Sequence, residues 1–318
     1  MHNVMRLSPD DKLNMHEYKP IESSTWNQEQ WSKESPMDYI KAVKVINSFP
    51  VEIRQEIFKQ IFTITRLYLP EILYKFHSIT DDQRLNELKI KTLKNKEVFL
   101  AELSQFNDPF DGRAIFYNPD ELKNLEVLKE HGGRLIDDFA SYHIGTSLSA
   151  TNYMNMPMWA HYSNNHRGYC VSYETSKSPM IRSFAFPIQY LDARIDISDY
   201  MVKFAEYALT EKKKQLALGN KNIVLYDLTL VFIIQLLDNI KGIDWSYEKE
   251  FRLSLPKTHP SRYVGLKPHQ VYIGKNCDVD TENALINIAK NQNIAVYKMT
   301  QGTTSDGFAM RPVLMFSP

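Results

Sequence analysis

Helical and strand-like patterns are interspersed along this chain of 318 residues without a regular β-α-β alternation. A doubly wound parallel sheet needs that alternation, because parallel neighbours are usually joined by a crossover helix. Apolar residues at three- and four-residue spacing predict helices over 37–46 and 53–67, with Pro50 between them. The pattern therefore predicts an α+β fold: a mixed, mostly antiparallel central sheet flanked by helices, with an N-terminal helical extension.

The chain divides into three regions by composition and pattern. Residues 1–35 are polar and rich in Ser, Glu, Gln and Asn, which is typical of a poorly ordered arm. Residues 36–70 are the helical extension, and residues 71–318 are expected to form a single α+β domain. Within that domain, periodicity predicts strands at 73–78, 98–100, 144–149, 168–173, 183–190, 247–255, 271–274 and 294–299, and helices at 119–129, 199–218, 222–241 and 281–291, with a helical or irregular segment at 81–93.

Charge and cysteine content exclude several classes of protein. The 38 basic and 38 acidic residues cancel, so no overall field favours nucleic acid or a membrane surface. The two cysteines, Cys170 and Cys277, form neither a disulfide framework nor a zinc spacing. The N-terminus lacks the apolar region of a secretory signal, and polar residues interrupt the apolar run at 223–240. These features favour a cytoplasmic protein without a membrane span.

The predicted strand at 247–255 carries the most informative polar pattern. Because side chains alternate across a strand, Glu248, Glu250 and Arg252 would share one face. One interpretation is an exposed edge with a salt bridge, which would contribute little stability. The other is a carboxylate pair oriented by Arg252, with one member available to bind a hydroxyl or a metal.

Two histidines and several aromatic residues lie in the segment 156–168, just before an apolar strand. On a short helix Trp159 and Tyr162 would face inward, whereas His161 and His166 would not share a face. A histidine among aromatic residues is often a hydrogen-bonded structural residue, but His161, with apolar neighbours, is the better candidate for chemistry. The spacing of the two histidines is a poor zinc signal without cysteines or a third ligand.

The segment 106–111 has the composition of a rigid turn. Asn and Asp side chains bond to their own backbone, and Pro109 fixes φ. A structural role in the turn is enough to explain this composition, but the turn could also present Asn107 or Asp108 to a ligand.

The strand at 73–78 alternates aromatic and basic residues. Tyr74 and Phe76 would lie on one side, and Lys75 and His77 on the other. A Lys–His face suits an anion such as a phosphate or a diphosphate. With 11 glycines in the chain and no glycine-rich phosphate motif, a glycine-cradled nucleotide loop is not expected.

These segments together resemble the bacterial family called domain of unknown function 2971 (DUF2971). The resemblance extends from about residue 72 to residue 300 and depends on four motifs in order: Leu73-Tyr74-Lys75-Phe76-His77-Ser78, Phe106-Asn107-Asp108-Pro109-Phe110-Asp111, Met158-Trp159-Ala160-His161-Tyr162 continuing to Val171, and Trp245-Ser246-Tyr247-Glu248-Lys249-Glu250-Phe251-Arg252. Where the family usually has an aromatic–Arg pair in the first motif, this chain has Phe76-His77.

The motif order is also similar to that of the ADP-ribosyltransferase superfamily, which includes bacterial toxins. The similarity implies NAD as substrate, Glu250 or else Glu248 as the catalytic carboxylate, and His161 in the nicotinamide pocket. The other residues implied in contacts with NAD are Tyr74, Lys75, His77, Asn107, Asp108, Trp159, Tyr162 and Arg252. The implied partners are a nucleotide-type small molecule and a nucleic acid or protein acceptor, as in a toxin or a phage-defence effector.

Two other functions fit the same residues. A metal-dependent nuclease or hydrolase would use carboxylates and a histidine as ligands for Mg²⁺ or Mn²⁺. Its candidate ligands are Asp108, Asp111, Glu248, Glu250 and His161. In a non-catalytic sensor or interaction module, the aromatic motifs would contribute only to the hydrophobic core.

Overall fold

The structure is a computed structural model that describes residues 5–6, 38–65, 69–126, 128–134, 141–225, 229–302 and 308–318. Most of the predicted polar arm at 1–35 lies outside the described residues. The strands of the described structure are β1 (Met5–Arg6), β2 (Ile72–His77), β3 (Glu97–Phe99), β4 (Ala101–Glu102), β5 (Ile115–Phe116), β6 (His143–Ser149), β7 (Tyr169–Glu174), β8 (Ala185–Pro187), β9 (Gln189–Leu191), β10 (Ile195–Asp196), β11 (Ile240–Gly242), β12 (Glu250–Pro256), β13 (Tyr263–Gly265), β14 (Gln270–Ile273), β15 (Ala295–Gln301) and β16 (Met310–Phe316).

The helices agree with most of the periodicity in the sequence. They are α1 (Tyr39–Asn47), α2 (Val51–Thr65), α3 (Gln83–Asn95), α4 (Pro119–Leu122), α5 (Met156–Tyr162), α6 (Pro179–Phe184), α7 (Ser198–Ala217), α8 (Thr229–Leu237) and α9 (Val279–Gln292), with 3-10 helices at Leu103–Gln105, Lys129–His131 and Ile243–Glu248. No helix among the described residues is long and apolar enough to cross a membrane.

The chain forms two compact units. The first contains residues 1–68, 102–142 and 188–243, and the second contains residues 69–101, 143–187 and 244–318. These units do not coincide with the predicted regions 36–70 and 71–318, because the helical extension groups with two later segments. The boundary at residue 70 between the helical extension and the α+β domain therefore remains a prediction from the sequence.

In the first unit the N-terminal helices pack on α8. Phe58 of α2 stacks on Phe232 with 4.3 Å between ring centroids, and Arg54 donates to the hydroxyl of Thr229 over 3.0 Å. Short parallel strands complete this unit in the orders β1-β10-β5 and β9-β11. The predicted bounds of the helix at 222–241 are wrong at both ends. Residues 222–225 are not helical, and α8 ends at Leu237, before β11 begins at Ile240.

The second unit contains the predicted sheet. Its main path has the order β16-β15-β14-β7-β2-β6-β12-β8, and all neighbours are antiparallel except the parallel pair β14 and β15. The α+β fold with a mixed, mostly antiparallel sheet flanked by helices is therefore confirmed.

Both faces of this sheet carry apolar cores. One face packs Leu73, Val171 and Leu253 against Leu285 of α9, with none of these side chains exposed. The other face packs Phe76 and Cys170 with Met158 and Trp159 of α5 and with other residues of a smaller cluster. A strand between two cores must bury any polar side chain that it carries, and this condition governs the candidate site.

The turn between α5 and β7 fixes that helix to the sheet. Asn164, Asn165 and His166 all have left-handed backbone angles, with φ of 49°, 53° and 67°. Asn164 donates from Nδ2 to the carbonyl of Ile79 over 2.7 Å, and Gly168 donates from its backbone N–H to the carbonyl of Ser163 over 2.8 Å. The path is tight enough that a larger residue at Gly168 would meet backbone atoms.

We expect Gly168→Ala to lower the free energy of unfolding by about 1–3 kcal/mol, because overpacking forces backbone shifts. A Cβ at this position would lie 1.8 Å from the backbone oxygen of His77. Gly265→Ala is the matched control, since its Cβ would have no atom within 4 Å. Urea denaturation, followed by circular dichroism, gives the unfolding midpoint and the free energy of unfolding of both variants. Equal midpoints for the two variants would contradict the predicted crowding.

Candidate functional site

A buried ion pair lies on β12 in the second unit. Glu250 and Arg252 lie two residues apart on one face of the strand, and their exposed fractions are 3% and 0%. Arg252 donates from Nε to Glu250 Oε1 over 3.0 Å, and Ser147 donates its hydroxyl to the same oxygen over 2.7 Å. β12 lies between β6 and β8, so the alternative of an exposed edge with a salt bridge is wrong. The carboxylate has a fixed orientation in the interior of the sheet.

Glu248 is buried as well, but by different means. The strand predicted over 247–255 begins only at Glu250, because Glu248 ends a 3-10 helix and Lys249 has a left-handed φ of 44°. The predicted alternation therefore does not extend to Glu248. Its carboxylate accepts a short hydrogen bond from the Tyr162 hydroxyl, and its carbonyl accepts one from Ser149 Oγ over 2.6 Å. Burial and the bond to Glu248 raise the pKa of Tyr162, so this hydroxyl remains a donor.

The helix α5 presents a second polar pair beside Glu248. The exposed His161 ring has its Nδ1 2.8 Å from the hydroxyl of Tyr247. Trp159 on the same helix has 0% exposure and donates from Nε1 to the carbonyl of Tyr153 over 2.6 Å. His161 is therefore accessible, whereas Trp159 is a core residue that orders the helix.

Tyr74 lies on the same face of the sheet as Glu250. The register pairs Tyr74 with Ser149, and Ser149 in turn with Glu250. Two strand spacings separate Tyr74 from Glu250, which is about 10 Å. Tyr74 also contacts a stacked pair of rings, Tyr153 and Tyr272, whose centroids are 4.2 Å apart. Burial raises the pKa of Tyr74 to about 12, which keeps its hydroxyl protonated at neutral pH.

The sheet opens next to Tyr74. β2 pairs with β7 at six successive positions from Ile72 to His77, but it pairs with β6 only at Tyr74. Beyond that position β2 and β6 separate. Lys75 bridges the two strands here: its Nζ donates to Thr146 Oγ1 over 2.6 Å and to the carbonyl of Ser147 over 3.3 Å.

Lys75 and His77 lie on the opposite face from Tyr74, as the alternation along β2 predicts. The His77 ring stacks on Tyr169, a residue of the larger core, with centroids 4.6 Å apart. Burial lowers the pKa of Lys75 to about 8, with the negative charge of Glu250 opposing that shift. Burial and the nearby charge of Lys75 and Lys89 lower the pKa of His77 well below its usual value.

Asn107 and Asp108 belong to the first unit. Their segment is a turn, as predicted, in which Asp108 Oδ1 accepts from the backbone N–H of Phe110 over 2.9 Å. Asp111 of the same turn lies with its Oδ2 3.8 Å from the ammonium of the buried Lys241. Within the described ranges, no three His, Cys, Asp or Glu side chains are grouped as metal ligands would be.

The sequence did not identify several residues that shape this site. Ser147 and Ser149 orient Glu250 and the backbone of Glu248, and Tyr153 and Tyr272 form the aromatic pair. The alternation Ser147-Leu148-Ser149 in a predicted strand was the available signal for the serines. The tyrosine stack joins residues more than a hundred positions apart and has no local signature.

Comparison with protein families supports part of the predicted resemblance. Residues 158–253 match the family described as "Protein of unknown function (DUF2971)", which confirms the predicted family over this stretch. The matched stretch includes α5 from Met158 onward, β7 and the Glu250–Arg252 pair. The motifs at 73–78 and 106–111 lie outside it. No curated protein and no solved structure matched the chain.

Proposed function

We propose that the second unit cleaves the nicotinamide–ribose bond of NAD beside Glu250 and transfers ADP-ribose to an acceptor. The observation that carries the proposal is the fixed orientation of the Glu250 carboxylate. Ser147 and Arg252 both donate to Oε1, and the whole side chain is 3% exposed. A carboxylate held in this way costs little reorganisation when positive charge develops near it.

The chemistry needs a negative group close to the reacting ribose. The bond between C1′ of the ribose and the nicotinamide nitrogen breaks, and its electron pair leaves with nicotinamide. A lone pair of the acceptor forms the new bond to C1′, and the proton that the acceptor loses passes to solvent. Glu250 would accept a hydrogen bond from a ribose hydroxyl and stabilise the positive charge that develops on the sugar.

The surroundings of Glu250 suit the other parts of a dinucleotide. Tyr74 is on the same face, and the rings of Tyr153 and Tyr272 next to it can stack on a heterocycle. His161 and Tyr247 form an accessible polar pair at α5, beside the Tyr162–Glu248 bond. We assign these groups to the nicotinamide and acceptor side of the site.

We expect the purified protein to release nicotinamide when it is incubated with NAD, and we expect EDTA to leave the rate unchanged. Chromatography with absorbance detection quantifies the nicotinamide. Chelator-sensitive hydrolysis of a phosphodiester, without nicotinamide release, would instead favour the metal-dependent hydrolase. Absence of both activities with small-molecule and macromolecular acceptors would contradict the proposal and favour a non-catalytic module.

A further inference from the structure

Three basic side chains lie near one another on the face of the sheet opposite Glu250, close enough for both lysines to act electrostatically on His77. Lys75 and His77 lie two residues apart on β2, and Lys89 reaches the same strand end from α3. Lys89 donates from Nζ to both the carbonyl and the hydroxyl oxygen of Ser78, each over 2.8 Å. The Tyr169 hydroxyl donates to the carbonyl of Lys89 over 3.0 Å, which connects α3 to the ring beneath His77.

Among the described residues, no carboxylate lies at contact distance from the two lysines of this cluster. Both ammonium groups bond to neutral oxygens, those of Thr146 and Ser147 for Lys75 and those of Ser78 for Lys89. Glu250 attracts Lys75 and Asp82 attracts Lys89, but neither carboxylate forms an ion pair with these lysines among the described residues. Two partly buried cations that have no anionic partner in the described part of the chain cost free energy that a bound anion would recover.

We propose that Lys75, His77 and Lys89 form a binding site for a phosphoryl group. Each ammonium retains a proton beyond its two neutral acceptors, and the imidazole offers a ring N–H, so these three neighbouring residues have donors left for a ligand. His77 is held by its stack on Tyr169, which fixes the direction of that donor. A phosphate or a diphosphate, with several charged oxygens, matches this set better than a single carboxylate.

The proposal does not depend on NAD cleavage, because these residues lie on the other face of the sheet from Glu250 and Tyr74. Two sources could supply the phosphoryl group: the diphosphate of a dinucleotide such as NAD, or a separate phosphorylated ligand. The chemistry of recognition is the same in both, and competition between ligands distinguishes them.

Calorimetric titration with inorganic diphosphate tests the proposal. We expect binding to the wild-type protein and at least a tenfold weaker affinity for Lys89→Gln and for His77→Phe. The second variant keeps a ring on Tyr169 and removes only the N–H donors. Lys91→Gln is the matched control, since Lys91 is exposed on the same helix, and its affinity should be unchanged.

The titration is repeated in the presence of NAD to identify the source of the phosphoryl group. Competition would assign the site to the diphosphate of the dinucleotide, and its absence would assign it to a separate ligand. Thermal melting confirms that each variant is folded, so that a loss of affinity is not a loss of structure. The proposal is overturned if diphosphate fails to bind at millimolar concentration, or if both variants bind it as the wild type does. Neither result depends on whether nicotinamide is released.

Discussion

Glu250→Gln is expected to lower the rate of nicotinamide release by about 10²- to 10³-fold, the usual cost of removing one preorganised electrostatic group. The amide keeps an oxygen that can accept from Ser147 Oγ and Arg252 Nε, so the local geometry should persist. The variant removes the negative charge that would face the developing positive charge on the ribose. The loss should therefore fall on kcat, with KM for NAD little changed.

Two further variants serve as the comparison and the control for Glu250→Gln. Glu248→Gln tests the neighbouring carboxylate, which is bonded to Tyr162, and we expect it to reduce the rate less than Glu250→Gln does. Glu87→Gln changes an exposed carboxylate on α3 and should have no effect. Circular dichroism spectra that match the wild type are required of all three. If Glu250→Gln retains the wild-type rate, Glu250 has no part in the reaction.

The ion pair on β12 could be predicted from sequence because it depends on a local property. Strand periodicity places Glu250 and Arg252 on one face whatever their neighbours are, provided that both lie in the strand. The apolar residues Phe251, Leu253 and Leu255 then assign the opposite face to the core, as found. Burial of the pair was left open by the sequence, since it requires β6 and β8 on either side.

The environment of Glu248 could not be predicted in the same way. The left-handed conformation of Lys249 and the 3-10 helix before it interrupt the strand, and lysine gives no local sign of such a backbone. The partner of Glu248 is Tyr162, 86 positions earlier in the chain. Contacts of this kind depend on how a helix packs on a sheet, which periodicity does not determine.

For strand β2, the alternation of side chains and the similarity to ADP-ribosyltransferases lead to different expectations. Alternation predicts Tyr74 on one face and Lys75 and His77 on the other, and the stacks with Tyr153 and Tyr169 agree with it. The resemblance to ADP-ribosyltransferases assigns all three residues to one ligand. In the structure they lie on opposite faces of one strand, and the competition experiment examines whether one dinucleotide contacts both faces.

Arg252→Met is expected to lower the free energy of unfolding by about 3–5 kcal/mol, because the buried charge of Glu250 loses its bonded cationic partner. Arg252 has no exposed surface, and Glu250 has almost none. Methionine is apolar and flexible enough to occupy much of the vacated space, so the effect of charge should exceed that of a cavity. Urea denaturation followed by circular dichroism gives the free energy.

The double variant Glu250→Gln/Arg252→Met separates the charge effect from packing. If the carboxylate that has lost Arg252 causes the decrease in stability, the double variant should be more stable than Arg252→Met alone by about 1 kcal/mol or more, since residues in one network do not act additively. Arg182→Met on α6 is the control for removal of an exposed arginine and should change stability by less than about 0.5 kcal/mol. A double variant less stable than Arg252→Met would mean that packing, and not the paired charge, is what Arg252 contributes to the sheet.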